Sequence, residues 1–245
     1  MAQKRFIEDC KSGDIQTLRS LDYSQIDIHS HGEAAFRWAC GNGYLDVIKF
    51  LLTLEPDHGR INIHAYNEEA FVSACQNGHL DVVKFLLTLE HNHGRIDIHA
   101  ADEHAFRRAA CHKGHLVVVK FLLTLEPDHG RIDIHTRNEY AFRLACKNAH
   151  LDIVKFLLSL EPDHGRIDIH ADSKFAFRNG NFHIRYLLIR RNPEYDWKNV
   201  YGYEDYLNEL NQIVKCLSTL HQKMIQIRTD ILELNVIGII KDYLI

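Results

Sequence analysis

Apolar residues along this chain fall into two helical rhythms that return together at a fixed interval. The stronger rhythm is Leu45-Asp46-Val47-Ile48-Lys49-Phe50-Leu51-Leu52, which recurs from Leu80, Leu116 and Leu151 and faintly from Phe182. Its apolar arc is wide enough for burial between neighbours. Ahead of it stands a shorter set, typified by Ala70, Phe71, Ala74 and Cys75, whose spacing predicts a first helix with a small-residue face. Gly43, Gly78 and Gly114 sit between the two helices and supply a left-handed stop. After the second helix comes a polar turn, Pro-Asp-His-Gly-Arg following Glu55, Glu126 and Glu161, and His91-Asn92-His93-Gly94-Arg95 in the remaining copy. The alternating phrase Ile-Asp/Asn-Ile-His then reads as a short extended segment. It ends at His29, His64, His99, His135 and His170, with spacings of 35, 35, 36 and 35. A period in this range marks a solenoid, in which each unit buries its apolar side only against its neighbours. Such arrays offer a long concave surface, so binding is expected before catalysis.

The segment Asn77-Gly78-His79-Leu80-Asp81-Val82-Val83-Lys84-Phe85-Leu86-Leu87 resembles the second-helix signature of the ankyrin repeat, Gly-His-Leu-(Asp/Glu)-Val-Val followed by Leu-Leu. The resemblance covers roughly residues 3–190 and is repeated, which makes it specific; a different α-solenoid is the alternative. Three departures stand out. Ala34-Ala35-Phe36-Arg37, Glu69-Ala70-Phe71-Val72 and their equivalents replace the family's Thr-Pro-Leu-His opening. The segment after Ile-His is shorter than the family hairpin by about three residues, and the loop after the second helix is longer by about five, against a usual period of about 33. The resemblance implies an all-α, ankyrin-like repeat solenoid with shortened hairpins and a helical C-terminal cap. On this reading residues 1–200 form the array, with 1–30 a capping repeat and 172–200 a degenerate last repeat, and 201–245 form the cap or a coiled-coil segment.

From Tyr203 the repeat disappears. Apolar residues at Tyr206, Leu210, Ile213, Leu217, Leu220, Met224, Ile227, Ile231 and Leu234 alternate steps of four and three, an a/d heptad pattern. Leu207, Val214, Ile225 and Leu232 widen the seam. A wide face suits a helix, or a helical hairpin broken near His221-Gln222, packed as a cap; pairing with a second chain through 203–234 is the alternative. Val236-Ile237-Gly238-Ile239-Ile240 is short and reads as core.

Composition narrows the function further. A net charge of −4 argues against a general nucleic-acid binder. No apolar run is long enough to span a bilayer, and Met1-Ala2-Gln3-Lys4-Arg5 leads into a polar helix pattern, so neither a membrane span nor a secretory leader is expected. Cys40, Cys75, Cys111 and Cys146 share one slot and read as small buried residues of a reducing, cytoplasmic compartment. The eighteen histidines invite a metal reading. Equivalent residues in stacked repeats lie about 8–10 Å apart, however, whereas zinc ligands lie about 2 Å from one ion. No metal or cofactor is expected, and the Ile-His histidines read as replacements for the family's turn-stabilising Asn, bonded to neighbouring backbone. Arg60, Arg95, Arg131 and Arg166 are expected to pair locally with Asp57, Asp128 and Asp163 where these are present; Arg37, Arg107, Arg143 and Arg178 are expected to hold repeats together. No phosphate loop, His-Glu-x-x-His or nucleophile elbow occurs, so the chain does not read as an enzyme.

Stacking does not explain the positions at which near-identical repeats disagree. One slot reads His31, Tyr66, Ala101, Arg137, Asp172; another Ala34, Glu69, His104, Tyr140, Phe175; a third Trp38, Ser73, Arg108, Leu144. From these, His31, Tyr66, Arg137, Asp172, Glu69, His104, Tyr140, Trp38 and Arg108 are the candidate partner-binding residues, since the resemblance implies binding through hairpin tips and the first-helix face. Tyr, Trp and Arg are effective anchors there. The expected partner is a protein. Uniform long-loop repeats of this kind resemble those of intracellular bacteria and giant viruses, which implies an effector or viral factor acting on a host protein in the host cytosol. A scaffold that self-associates through 203–234 is the runner-up, and an enzyme with an unrecognised site comes third.

Overall fold

The computed structural model describes residues 2–111 and 113–243, and the side chains of all of these except 161, 162 and 229–243. It forms two compact units, one ending at Ile184 and the other starting at Arg185. Residues 185–200, read above as the end of the array, group with the carboxy-terminal helix.

In the first unit the two apolar rhythms become helix pairs. Ser30–Asn42 precedes Leu45–Thr53, Ala65–Asn77 precedes Leu80–Thr88, Ala100–Cys111 precedes Leu116–Leu123, and Thr136–Lys147 precedes Leu151–Ser159. A reduced pair, Ala2–Ser12 and Ile15–Arg19, opens the chain, and Ala171–Asn179 leads into Phe182–Arg191. First helices pack successively from Ala2–Ser12 to Ala171–Asn179. Each contributes one phenylalanine to the core (Phe6, Phe36, Phe71, Phe106, Phe142 and Phe177), surrounded by alanines and cysteines that let the helices approach. Cys10, Cys40, Cys75, Cys111 and Cys146 are buried free thiols, and burial pushes those of Cys10 and Cys111 up to about 12. They therefore stay protonated and unreactive. Along the second helices the Lys49, Lys84 and Lys120 ammonium groups lie 5.6, 5.4 and 5.3 Å from the ring centres of Phe85, Phe121 and Phe156 in the next repeat.

The glycine stops have a second reason. Gly43, Gly78 and Gly114 have φ of +79°, +80° and +71°, and a Cβ on any of them would come within 2.3–2.6 Å of the ring of His79, His115 or His150 in the following repeat. Ala149 holds the same place with φ +61°, where the next repeat carries Asn181 in place of histidine.

One expectation changes, and one alternative is decided. The polar turn after each second helix contains a four-residue helix, Glu55–His58, Glu90–His93, Glu126–His129 or Glu161–His164, ended by glycine. The tail is one helix, Tyr203–Tyr243, with no break at His221-Gln222, because nothing in its sequence interrupts the hydrogen-bond ladder before Gly238. In the second unit Leu188, Trp197, Val200 and Tyr206 are buried, while Ile213, Val214, Leu217, Leu220, Met224, Ile225 and Ile227 are exposed. The seam positions Ile231, Leu232 and Leu234, and the stretch 236–240, lie outside the described side chains. Among the described residues no helix is long and apolar enough to cross a membrane.

Candidate partner-binding surface

Each repeat enters its first helix through three consecutive residues with positive φ: His31-Gly32-Glu33, Tyr66-Asn67-Glu68, Ala101-Asp102-Glu103, Arg137-Asn138-Glu139 and Asp172-Ser173-Lys174. Left-handed backbone costs L-residues about 1–2 kcal/mol each, and Gly, Asn and Asp tolerate it best. The central slot, Gly, Asn, Asp, Asn, Ser, follows that preference. Elsewhere in the turn the cost is offset by bonds. Arg37 donates from Nε and Nη2 to the carbonyls of Gly32 and His31 at 2.8 and 3.1 Å; Arg107 does the same to Asp102 and Ala101, and Arg143 to Asn138 and Arg137. The first-helix arginines thus brace the turn of their own repeat. They also reach the next one: Arg37 lies 4.5 Å from the Tyr66 ring centre and Arg107 lies 5.1 Å from that of Tyr140.

The third turn residue joins the repeats. Glu33 Oε1 is 2.9 Å from His29 Nδ1 and accepts the Asn62 backbone N–H of the next repeat at 3.1 Å, while His29 Nε2 is 2.9 Å from the His58 carbonyl. The pattern repeats at His64–Glu68, His99–Glu103 and His135–Glu139. An imidazole with oxygen acceptors on both nitrogens donates to both only when doubly protonated. Burial opposes that charge, but the glutamate and the carbonyl outweigh it, and the four histidines are raised above their ordinary value. The glutamates are buried, and their second oxygens have no hydrogen-bond partner among the described residues, which favours a cation alongside. In the last copy Lys174 replaces glutamate; burial and the Lys174 charge are among the influences that lower His170. At the other end Gln3 closes the series, accepting the Asp27 N–H at 2.8 Å.

Four of the Ile-His histidines, His29, His64, His99 and His135, do bond to neighbouring backbone, as expected, but their glutamate partners were missed. The signal was present as His-x-x-x-Glu in four copies. One loop arginine departs from expectation: Arg60 donates to the Asn92 carbonyl of the next repeat at 2.6 Å and not to Asp57, while Arg95, whose repeat has Asn92 in place of the aspartate, donates to His129 Nδ1 of the next repeat at 3.4 Å. Beside them lies a second His–Glu series, closest at His93–Glu55, 2.7 Å.

Six of the nine candidate residues gather in two clefts between successive first helices. Trp38, Glu69 and Ser73 line a cleft of about 260 Å³ between the first and second full repeats, with Arg37 and Asn77. Lys11 lies 4.9 Å from the Trp38 ring centre, and Ser73 donates to Glu69 at 2.8 Å. His104, Arg108, Arg137 and Tyr140 line a second cleft of about 170 Å³ between the third and fourth repeats, with Ala101 and Arg107. Tyr66 is 66% exposed and lies against Gly32, where a Cβ would meet its ring at 2.4 Å. His31 is exposed beside it in sequence order, one repeat earlier, and lines neither cleft. Asp172 is also outside both and pairs with Arg143.

Two family models match, both described as ankyrin repeats, over residues 6–102 and 108–158, together more than half of the chain. The chain belongs to the ankyrin-repeat family. Among solved structures, an ankyrin repeat family protein from Legionella pneumophila is similar at 25% identity over 78% of this chain and 72% of that one, with a TM-score of 0.44. No curated protein matches. Ankyrin repeats are in general protein–protein interaction modules and typically non-catalytic. In this ankyrin array the turns are left-handed, and arginine braces three of them, where the family opening is absent.

Proposed function

We propose that this chain binds a partner protein through the left-handed turns and the exposed side of the first helices. The observation that carries this reading is the gathering of the repeat-to-repeat variable residues: Trp38, Glu69 and Ser73 in one cleft, His104, Arg108, Arg137 and Tyr140 in another. The constant residues of the same turns are buried in the stack. Exposed aromatics flanked by arginine have the composition of an interface hot spot. The long-loop repeat type extends the proposal to a host protein met in a host cytosol. The test is affinity capture from eukaryotic cytosol with the intact chain and with a Tyr66→Ala, Arg108→Ala, Arg137→Ala, Tyr140→Ala variant whose fold is checked by circular dichroism. A partner held by the first and lost by the second is the expected result; equal capture by both rejects this surface.

A second reading is self-association through 203–234. It is favoured by the exposed apolar side chains Ile213, Val214, Leu217, Leu220, Met224 and Ile227 on one helix. Light scattering across a concentration series tests it: a dimer abolished by Leu217→Glu with Leu220→Glu supports the scaffold reading, and a monomer at all concentrations removes it.

A further inference from the structure

Resting on the proposed docking surface, we infer that the cleft between the third and fourth repeats receives a phosphorylated side chain of the protein partner. Six residues line it: Ala101, His104, Arg107, Arg108, Arg137 and Tyr140. Three of them are arginines, and the carboxylate paired with any of them is Asp102, whose Oδ2 takes Arg137 Nε and Nη2 at 3.0 and 2.9 Å. Three guanidinium charges against the one carboxylate bonded among them leave a positive excess in the lining, reduced by the more distant Glu69, which suits the −1.5 to −2 charge, roughly, of a phosphomonoester at neutral pH.

The donors that face the space are not used up. Arg108 gives Nε to His104 Nε2 at 2.9 Å, and its Nη1 and Nη2 have no hydrogen-bond partner among the described residues. Arg107 spends Nε and Nη2 on its own turn, which leaves Nη1. Accepting a hydrogen bond from Arg108 requires His104 Nε2 to be unprotonated, so the neutral ring carries its proton on Nδ1. Burial and the charges of Arg108, Arg107 and Arg137 hold His104 below the ordinary histidine value, with Glu69 opposing. Planar guanidinium forks bind phosphate oxygens in pairs, which a lysine cluster does not do. The other cleft lacks this excess, because Glu69 sits in it beside Arg37.

The probes are degenerate fluorescent peptide libraries fixed on a central phosphoserine, phosphothreonine or phosphotyrosine, with serine-, tyrosine- and glutamate-centred libraries and inorganic phosphate as comparisons. Fluorescence anisotropy with the full chain is expected to show at least one phosphorylated library binding tenfold or more above its unphosphorylated and glutamate counterparts. Arg108→Gln, at an exposed position, is expected to remove that difference, and Val117→Ala, exposed on a second helix outside the docking surface, to leave it. Equal binding of phosphorylated and unphosphorylated libraries, equal binding of the glutamate library, or insensitivity to Arg108→Gln would overturn the inference. Competition by inorganic phosphate alone at the strength of the peptide would mean an anion site without a docking role, and would also overturn it. If every library fails while the quadruple variant still loses a captured partner, the phosphoryl inference falls and the docking surface stands.

Discussion

The first and third residues of each left-handed turn are two positions apart and have opposite fates. The third is glutamate in four repeats, buried, and bonded both to a histidine of its own repeat and to the backbone of the next. The first is His, Tyr, Ala, Arg or Asp and is exposed in every case. A single strained turn therefore supplies both cohesion and exposed residues of the proposed docking surface, and the backbone conformation separates them by sending its side chains to different environments. Such turns persist because the surrounding bonds over-determine them.

The largest break in that comparison is expected at the buried slot. Glu103→Ala leaves the Asp133 N–H and the His99 ring without their shared acceptor, at about 2–3 kcal/mol for a buried group losing its partner. Urea unfolding measures it, and the loss is expected to appear first as opening between the third and fourth repeats by hydrogen exchange.

A second break is by pH. His29, His64, His99 and His135 have folded-state values raised above the unfolded one. Their contribution is complete below the unfolded value of about 6.5 and is lost as pH rises through the folded value. His104 and His170 are lowered and act in the opposite sense, present above about 6.5 and lost on acidification. Four against two, with the four in direct contact with carboxylates, predicts a lower melting temperature at pH 8.5 than at pH 6.5. Lys174→Glu is expected to raise His170, read by NMR titration of its ring protons.

Smaller effects sharpen the distinction between strain and bonding. Ala149 sits at φ +61°, and Ala149→Gly is expected to stabilise by about 0.5–1 kcal/mol in thermal unfolding. Arg108→Ala, at the exposed rim, is expected to change stability by less than about 0.5 kcal/mol.

The period, the helix pairs, the buried cysteines and the glycine stops were legible because each rests on local spacing or on one residue's conformational freedom. The left-handed turns were not. Tyr66-Asn67-Glu68 and Arg137-Asn138-Glu139 contain no glycine, and no local rule places three such residues at positive φ in succession. The second is held by Arg143, five and six residues ahead, while the first has Val72 there; both are tied through Glu68 and Glu139 to backbone N–H groups one repeat away. The same distance hid the partners of Arg60 and Arg95. Of the candidate surface, the variable slots were legible as positions where the repeats differ, while their division into two clefts depends on which residue of the neighbouring repeat each one meets.

The most direct measurement is hydrogen–deuterium exchange on the chain alone and bound to its captured partner. The account predicts new protection in peptides covering 30–42, 65–77, 100–111 and 136–147, centred on the left-handed turns. Protection confined to 55–60, 90–95 and 126–131, or to 203–228, would contradict it.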